Sequence, residues 1–376
     1  MKILYVYDTL ALYGGIERIL TDKMNCLVSM YGYDVFLLTT NQGDHPLPFP
    51  LHHDVKHEDL HVQTHLQYRY HGLRRYWERW RRNRLLMQRL KERILAIQPD
   101  VIVSTTSRYI PQLCRLKGHI PLVAESHSGF GHVLEYERMT WRRRWETRRL
   151  LRWLRNADVL VSLTESDARQ WRTVHPHVVL IPNMVHVEVT VRPSSPTHSK
   201  RAIFVGRLAH QKSVPEVIAV WQLVHQRHPD WWLDIYGEGE LQELVETLIA
   251  SAGANIELHS PVSNIFSCYR NSAILLLTSL YEPFGLVLPE AMSCGLPVVA
   301  FDCPYGPADI ITDGIDGFLI KDRSVEDFAS TVCQLIEDQE LRRRTGEAGI
   351  QSSRRYSAGD IMPKWKHLFE TLTGGK

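Results

Sequence analysis

Two glutamates, Glu282 and Glu290, stand with seven residues between them in the run Ser279–Phe301, SLYEPFGLVLPEAMSCGLPVVAF. Paired carboxylates can act as general acid and base on a glycoside, or can accept hydrogen bonds from sugar and ribose hydroxyls. Earlier in the chain, Arg207 and Lys212 follow Gly206 directly after the apolar run Arg201–Val205. A glycine there lets a phosphate approach the backbone, and two cations can neutralise a departing diphosphate. Set beside those cations, the glutamates read as hydroxyl-binding groups for a sugar nucleotide. Gly14-Gly15-Ile16-Glu17 opens a helix after the first strand and offers another phosphate-compatible turn, without the full GxGxxG of a dinucleotide fingerprint. Its plainer reading is a strand-to-helix turn whose Glu17 favours the helix dipole.

These residues need a scaffold of strands and helices. Glu282 falls in a Pro/Gly turn after the apolar strand 273–278, and Glu290 falls inside a helix that Gly295 can end as a left-handed cap. In open α/β sheets, ligands sit at this carboxyl end of the strands, where helix-start N–H groups can receive a phosphate. Short β-branched runs alternate with helical stretches along the whole chain, which predicts parallel sheets. Strands are expected at 2–7, 34–39, 100–104, 122–125 and 159–163, and again at 201–205, 232–236, 256–259, 274–278 and 297–301. At 376 residues the chain exceeds what one core usually supports. The polar Pro/Ser-rich segment Arg192–Lys200 is the expected boundary, giving domains 1–192 and 200–356.

The motif Glu282-x7-Glu290, set in this strand–loop–helix order, resembles the signature of the retaining glycosyltransferases of family 4. The resemblance covers nearly the whole length and is strongest over 201–320. It implies an α/β GT-B fold, two Rossmann-like domains facing a central cleft, with the last helix (361–376) packed back on the first domain. It also implies transfer of a hexosyl or N-acetylhexosaminyl group from a nucleoside-diphosphate sugar, with UDP the expected nucleotide, to a glycan or lipid-linked acceptor of a surface polysaccharide. On this pattern Arg207 and Lys212 hold the donor diphosphate, Glu290 the ribose, and Glu282 with the backbone of Phe284, Gly285 and Leu286 the sugar and phosphate. Gly14 and Gly15 face the donor phosphates, Gly237 lies near the nucleotide, and Pro261 belongs to the segment whose backbone reads the base. Glu125-Ser126-His127 ends a strand where the family often has a histidine, so His127 is expected to donate a hydrogen bond to the transferred sugar. Two departures stand out: Ser213 replaces the usual glycine after Lys212, and CPYGPADII (303–311) replaces Gly-Gly-x-x-Glu. The chain contains no Asp-x-Asp triplet, which agrees with protein cations rather than a bound metal, and no cofactor is expected.

The amino end carries Asp8 and no long apolar core, so it does not read as a signal peptide, and no run approaches a spanning helix. Six scattered cysteines without CxxC pairs suit reduced thiols and a cytoplasmic location. The formal net charge of +2 divides unevenly, residues 1–197 carrying +9 and the remainder −7. Two Arg/Trp-rich segments, 74–93 and 142–155, supply much of that excess. Their plainer reading is a pair of surface helices, with apolar stripes such as Tyr76, Trp80, Met87, Leu90 and Ile94. The sharper one is peripheral attachment to anionic lipid on the inner face of the plasma membrane. No nucleic-acid recognition motif accompanies the arginines. His57-Glu58-Asp59-Leu60-His61 matches HExxH, but its flanks lack a helical stripe and suit a short strand, so a zinc site is not expected. Two alternatives stand beside this reading: a sugar-nucleotide epimerase of related fold, and a non-catalytic glycan- or lipid-binding protein.

Overall fold

The computed structural model describes residues 1–105, 109–131, 140–185, 199–262 and 264–375. Most of the expected boundary segment, residues 192–198, lies outside the described residues. The chain divides into two units, Met1–Met184 with Ile361–Lys376, and Val185–Asp360.

The first unit is built on a parallel sheet of seven strands: β1 (Lys2–Tyr7), β2 (Asp34–Thr39), β3 (Lys56–Asp59), β4 (Val101–Ser104), β5 (Leu122–Glu125), β6 (Val159–Ser162) and β7 (Val178–Leu180). Their order is β3-β2-β1-β4-β5-β6-β7, with Ile3 opposite both Val35 and Val101 in register. The central strands are apolar runs because helices cover both faces of such a sheet. Helix Gly72–Ile97 buries Leu86, Leu90, Ile94 and Ile97 against this core. The expected stripe continues toward the amino end only in part. Tyr76, Trp77 and Trp80 are each more than half exposed there, and Glu78 is the buried position. The first three residues of HExxH fall on strand β3 and His61 lies just beyond it; His57 bonds Thr39 Oγ1 at 2.9 Å and Glu58 pairs with Arg93 at 2.5 Å. In strand geometry, the two histidines do not share a helical face.

The second unit carries six parallel strands: β8 (Arg201–Val205), β9 (Trp232–Tyr236), β10 (Ile256–His259), β11 (Ile274–Leu277), β12 (Val298–Phe301) and β13 (Phe318–Ile320), in the order β10-β9-β8-β11-β12-β13. Phe204, Trp221, Leu233, Leu276, Phe301 and Phe328 form its core. Each unit is thus a Rossmann-like sheet. Strand order reverses between β1 and β4 in the first and between β8 and β11 in the second. Ligand crevices of doubly wound sheets open at such switch points.

Candidate active site

In the second unit the two strands that flank the switch point lead into the two loops singled out by sequence. After β8 come Gly206, Arg207 and a 3-10 turn, His210–Lys212, before helix Val214–Arg227. After β11 come Ser279–Leu286 and helix Val287–Ser293. The Glu282 carboxylate, 4% exposed, pairs with the Lys212 ammonium and accepts from Ser279 Oγ at 2.6 Å. Thr278 Oγ1 donates to the carbonyls of Lys212 and Ser213, both at 3.1 Å, and Leu280 N–H to Gln211 O at 2.8 Å. Two segments some 70 residues apart are thereby sewn together. A lysine held on a buried carboxylate has a fixed position, so its charge is aimed rather than mobile. Arg207, in the same loop, is exposed.

One cation in this network carried no sequence signal. Arg323 donates to the carbonyls of Thr278 and Ser279, each at 2.8 Å, pairs with Glu216 on the helix after Lys212, and stacks over Phe301 at 4.4 Å. It belongs to an ordinary-looking turn, and only the fold brings it against both loops. Cys303 of the CPYGP segment lies in the same field. Burial, reinforced by Glu282 and opposed by Arg323 and Lys212, pushes its thiol up to about 12. Gly306 N–H donates to Glu282 O at 2.7 Å, so this segment braces the Glu282 turn.

Glu290 sits in the helix as expected and is 2% exposed, accepting from Tyr269 OH at 3.2 Å. The two glutamates therefore take different partners, a cation and a phenol, as suits separate binding groups. Between them Gly285 adopts φ +87°, a backbone that side chains rarely tolerate. Phe284 is buried edge-on against Tyr356, and Leu286 precedes the helix. Gly237 lies after β9, where a Cβ would stand 1.9 Å from the Gly206 carbonyl oxygen, so the two loops require a glycine there. Pro261 is exposed beyond β10, whose last residue His259 stacks on Tyr236 at 4.5 Å. Asp234, Glu257 and His259 are close enough to hold a metal, but the Arg201 guanidinium is bonded to both acids.

In the first unit, Gly14 and Gly15 lead into helix Gly15–Tyr31. Glu17 turns its carboxylate back beneath Gly14 and accepts from Tyr7 OH at 2.9 Å. Burial pushes its pKa above the ordinary value, with a backbone hydrogen bond, the Tyr7 bond and His127 opposing. His127 follows β5 with its side chain 3% exposed, its Nε2 lying 3.0 Å from Glu125 Oε2. The loop is pinned by Phe130 N–H to Asp167 at 2.6 Å and by Trp171 Nε1–H to Ser126 Oγ at 3.1 Å. Glu125 also receives Lys23, a residue that sequence reasoning passed over. The signal was available: Lys23 interrupts the buried stripe Ile19, Leu20, Met24, Leu27 of its helix.

Both halves of the chain resemble known proteins. Residues 13–189 match the family model Glycosyltransferase Family 4, and residues 190–352 match Glycosyl transferases group 1. The chain is similar to the amylovoran biosynthesis glycosyltransferase AmsD of Erwinia amylovora, 37% identical over 45% of this chain and 47% of that protein. It is also similar to the exopolysaccharide phosphotransferase SCO2592 of Streptomyces coelicolor, 33% identical over 57% of this chain but 23% of that longer protein. The matches thus span at most about half the length of these curated relatives. Among solved structures, a variant S. aureus TarM in complex with Fondaparinux, alpha-GlcNAc-glycerol and UDP superposes with a TM-score of 0.79. It is 15% identical, covering 98% of this chain and 99% of that one. At that identity the likeness speaks for the fold, which is GT-B.

Proposed function

The chain belongs to the glycosyltransferases of group 1 and family 4, and from that premise we propose the reaction it performs. It is a retaining enzyme that moves a hexosyl or N-acetylhexosaminyl group from a nucleoside-diphosphate sugar to a glycan or lipid-linked oligosaccharide of a surface polysaccharide. The observation that carries this reading is the Lys212–Glu282 pair at the sheet's switch point. Charge develops chiefly on the departing diphosphate, and preorganised cations are worth most where charge develops. In this reading Arg207 and Lys212 stabilise that leaving group. Glu290 binds the ribose hydroxyls, and Glu282 with the Phe284–Leu286 backbone positions sugar and phosphate. His127 hydrogen-bonds the transferred sugar. The acceptor hydroxyl attacks on the face the diphosphate leaves, and a departing phosphate oxygen takes its proton, so no protein nucleophile and no metal are required. UDP is the favoured nucleotide, since a GT-B neighbour has been solved with it.

The test is UDP release from UDP-sugars, slow hydrolysis included, with Arg207→Ala and Lys212→Ala alongside. Each variant is expected to lose most activity, while Glu290→Ala weakens nucleotide binding. Near-normal turnover in both cation variants would overturn the phosphate assignment. An epimerase would convert the donor sugar without releasing UDP, and a binding protein would do neither.

For location we propose the cytoplasmic face of the membrane, where a lipid-linked acceptor would be met. Trp77, Trp80, Trp141 and Trp145 are all more than half exposed. The guanidinium groups of Arg81, Arg84 and Arg149 lie over their neighbouring indoles. Such amphipathic arginine–tryptophan surfaces suit the headgroup layer of anionic lipid. Co-sedimentation with vesicles containing anionic lipid, absent with neutral vesicles, is the expected result. No binding at low salt would sink the attachment.

A further inference from the structure

We propose that Glu125 and Lys23 are positioning residues that hold His127 in its Nε2–H tautomer, leaving Nδ1 as the ring atom offered to the sugar. The inference rests on the transferase reading for its functional meaning, but not for its geometry.

Glu125 ends β5 with a side chain only 1% exposed. Its two oxygens each lie 2.5 Å from Lys23 Nζ, and Oε2 also lies 3.0 Å from His127 Nε2. Burial alone would raise the Glu125 carboxyl, but Lys23 and His127 outweigh it and bring it below its ordinary value. An ionised carboxylate can only accept, so the hydrogen of this bond belongs to Nε2. In the neutral ring Nδ1 then carries a lone pair and accepts from a sugar hydroxyl. Donation, the role first expected for this histidine, would need the imidazolium. A second acid near the ring, Glu17, is engaged by Tyr7 OH. Tyr5 and Trp365 wall the lysine in, with Nζ 5.5 Å and 4.1 Å from their ring centres.

A buried ion pair is a poor device for stability alone, since apolar replacements of similar volume are often neutral or better. Lys23 makes sense as the fixed countercharge that keeps Glu125 ionised, and Glu125 as the acceptor that selects the tautomer. A carboxylate behind a working imidazole acts in the same way in hydrolase triads.

The test uses the full chain with ¹⁵N-labelled histidine, the His127 signals being assigned by their loss in His127→Asn. The wild-type ring is expected to show a protonated Nε2 and a bare Nδ1. The charge-free double variant Lys23→Met/Glu125→Leu is expected to show mixed tautomers. Its turnover should fall about tenfold or more, with UDP affinity unchanged. Glu125→Gln alone, close in shape, provides the same tautomer readout if the double variant folds poorly. A wild-type ring protonated at Nδ1, or a variant that keeps both tautomer and turnover, overturns the proposal. A chain that shows the tautomer switch but transfers no sugar would refute the reaction and leave the positioning intact.

Discussion

Replacing Lys212 by alanine strips the cation from a carboxylate buried to 4% exposure. Among the described residues, Glu282 then keeps its side-chain bond from Ser279, at 2.6 Å, to offset its desolvation. Removing one partner of a fully buried pair costs about 3–5 kcal/mol. Here the Lys212 side chain is 16% exposed, so water can approach, and we expect about 2 kcal/mol. For a unit of this size that lowers the melting temperature by about 4–8 °C. The double variant Lys212→Met/Glu282→Gln removes both charges while keeping shape, and most of the stability should return. Turnover should not, because the leaving diphosphate has lost an aimed cation, a loss of about 100-fold or more in kcat. Circular dichroism during thermal unfolding measures the first quantity and UDP release the second. A double variant as unstable as the single one would refute the pair as the cause of the destabilisation. Turnover within about threefold of wild type in Lys212→Ala would remove Lys212 from the chemistry.

Arg323→Ala should cost about 2 kcal/mol in urea unfolding, from two charge-assisted bonds to carbonyls, its partly exposed ion pair with Glu216 adding little. It should also raise KM for the donor. Ser213 holds φ +47°, so Ser213→Gly should gain about 0.5 kcal/mol, and Ser213→Val should lose about 1 kcal/mol in the same assay. Burial would push the Asp234 pKa up, yet Arg201 and His259 hold it below its ordinary 3.8. Because the folded value is depressed, its contribution is complete above about pH 4 and is lost as pH falls below that. The stability gap between wild type and Asp234→Asn, measured by urea at pH 7 and pH 3, should therefore shrink at the lower pH.

Much of the scaffold was legible because parallel strands buried on both faces are apolar runs, and ILLL (274–277) or VVAF (298–301) can hardly be anything else. The strands that escaped notice, Val178–Leu180 and Phe318–Ile320, are three residues long and end a sheet, too short for any period to show. Candidate residues with a local grammar fell where expected: Gly206, Arg207 and Lys212 after a strand, Glu282 in a turn, and Glu290 in a helix. Arg323 and Tyr269 had no such grammar. Each is an unremarkable residue until the fold sets it beside a partner far along the chain.

The sequence by itself determined most of the element order, the parallel sheets and the candidate groups for a sugar nucleotide, because burial period and turn chemistry are local properties. Only the tertiary structure decided how those groups are charged and aimed. Lys212 meets Glu282 across 70 residues and Lys23 meets Glu125 across 102. An electrostatic partner is chosen by distance in space and by the exclusion of water, and neither is written in the neighbouring residues.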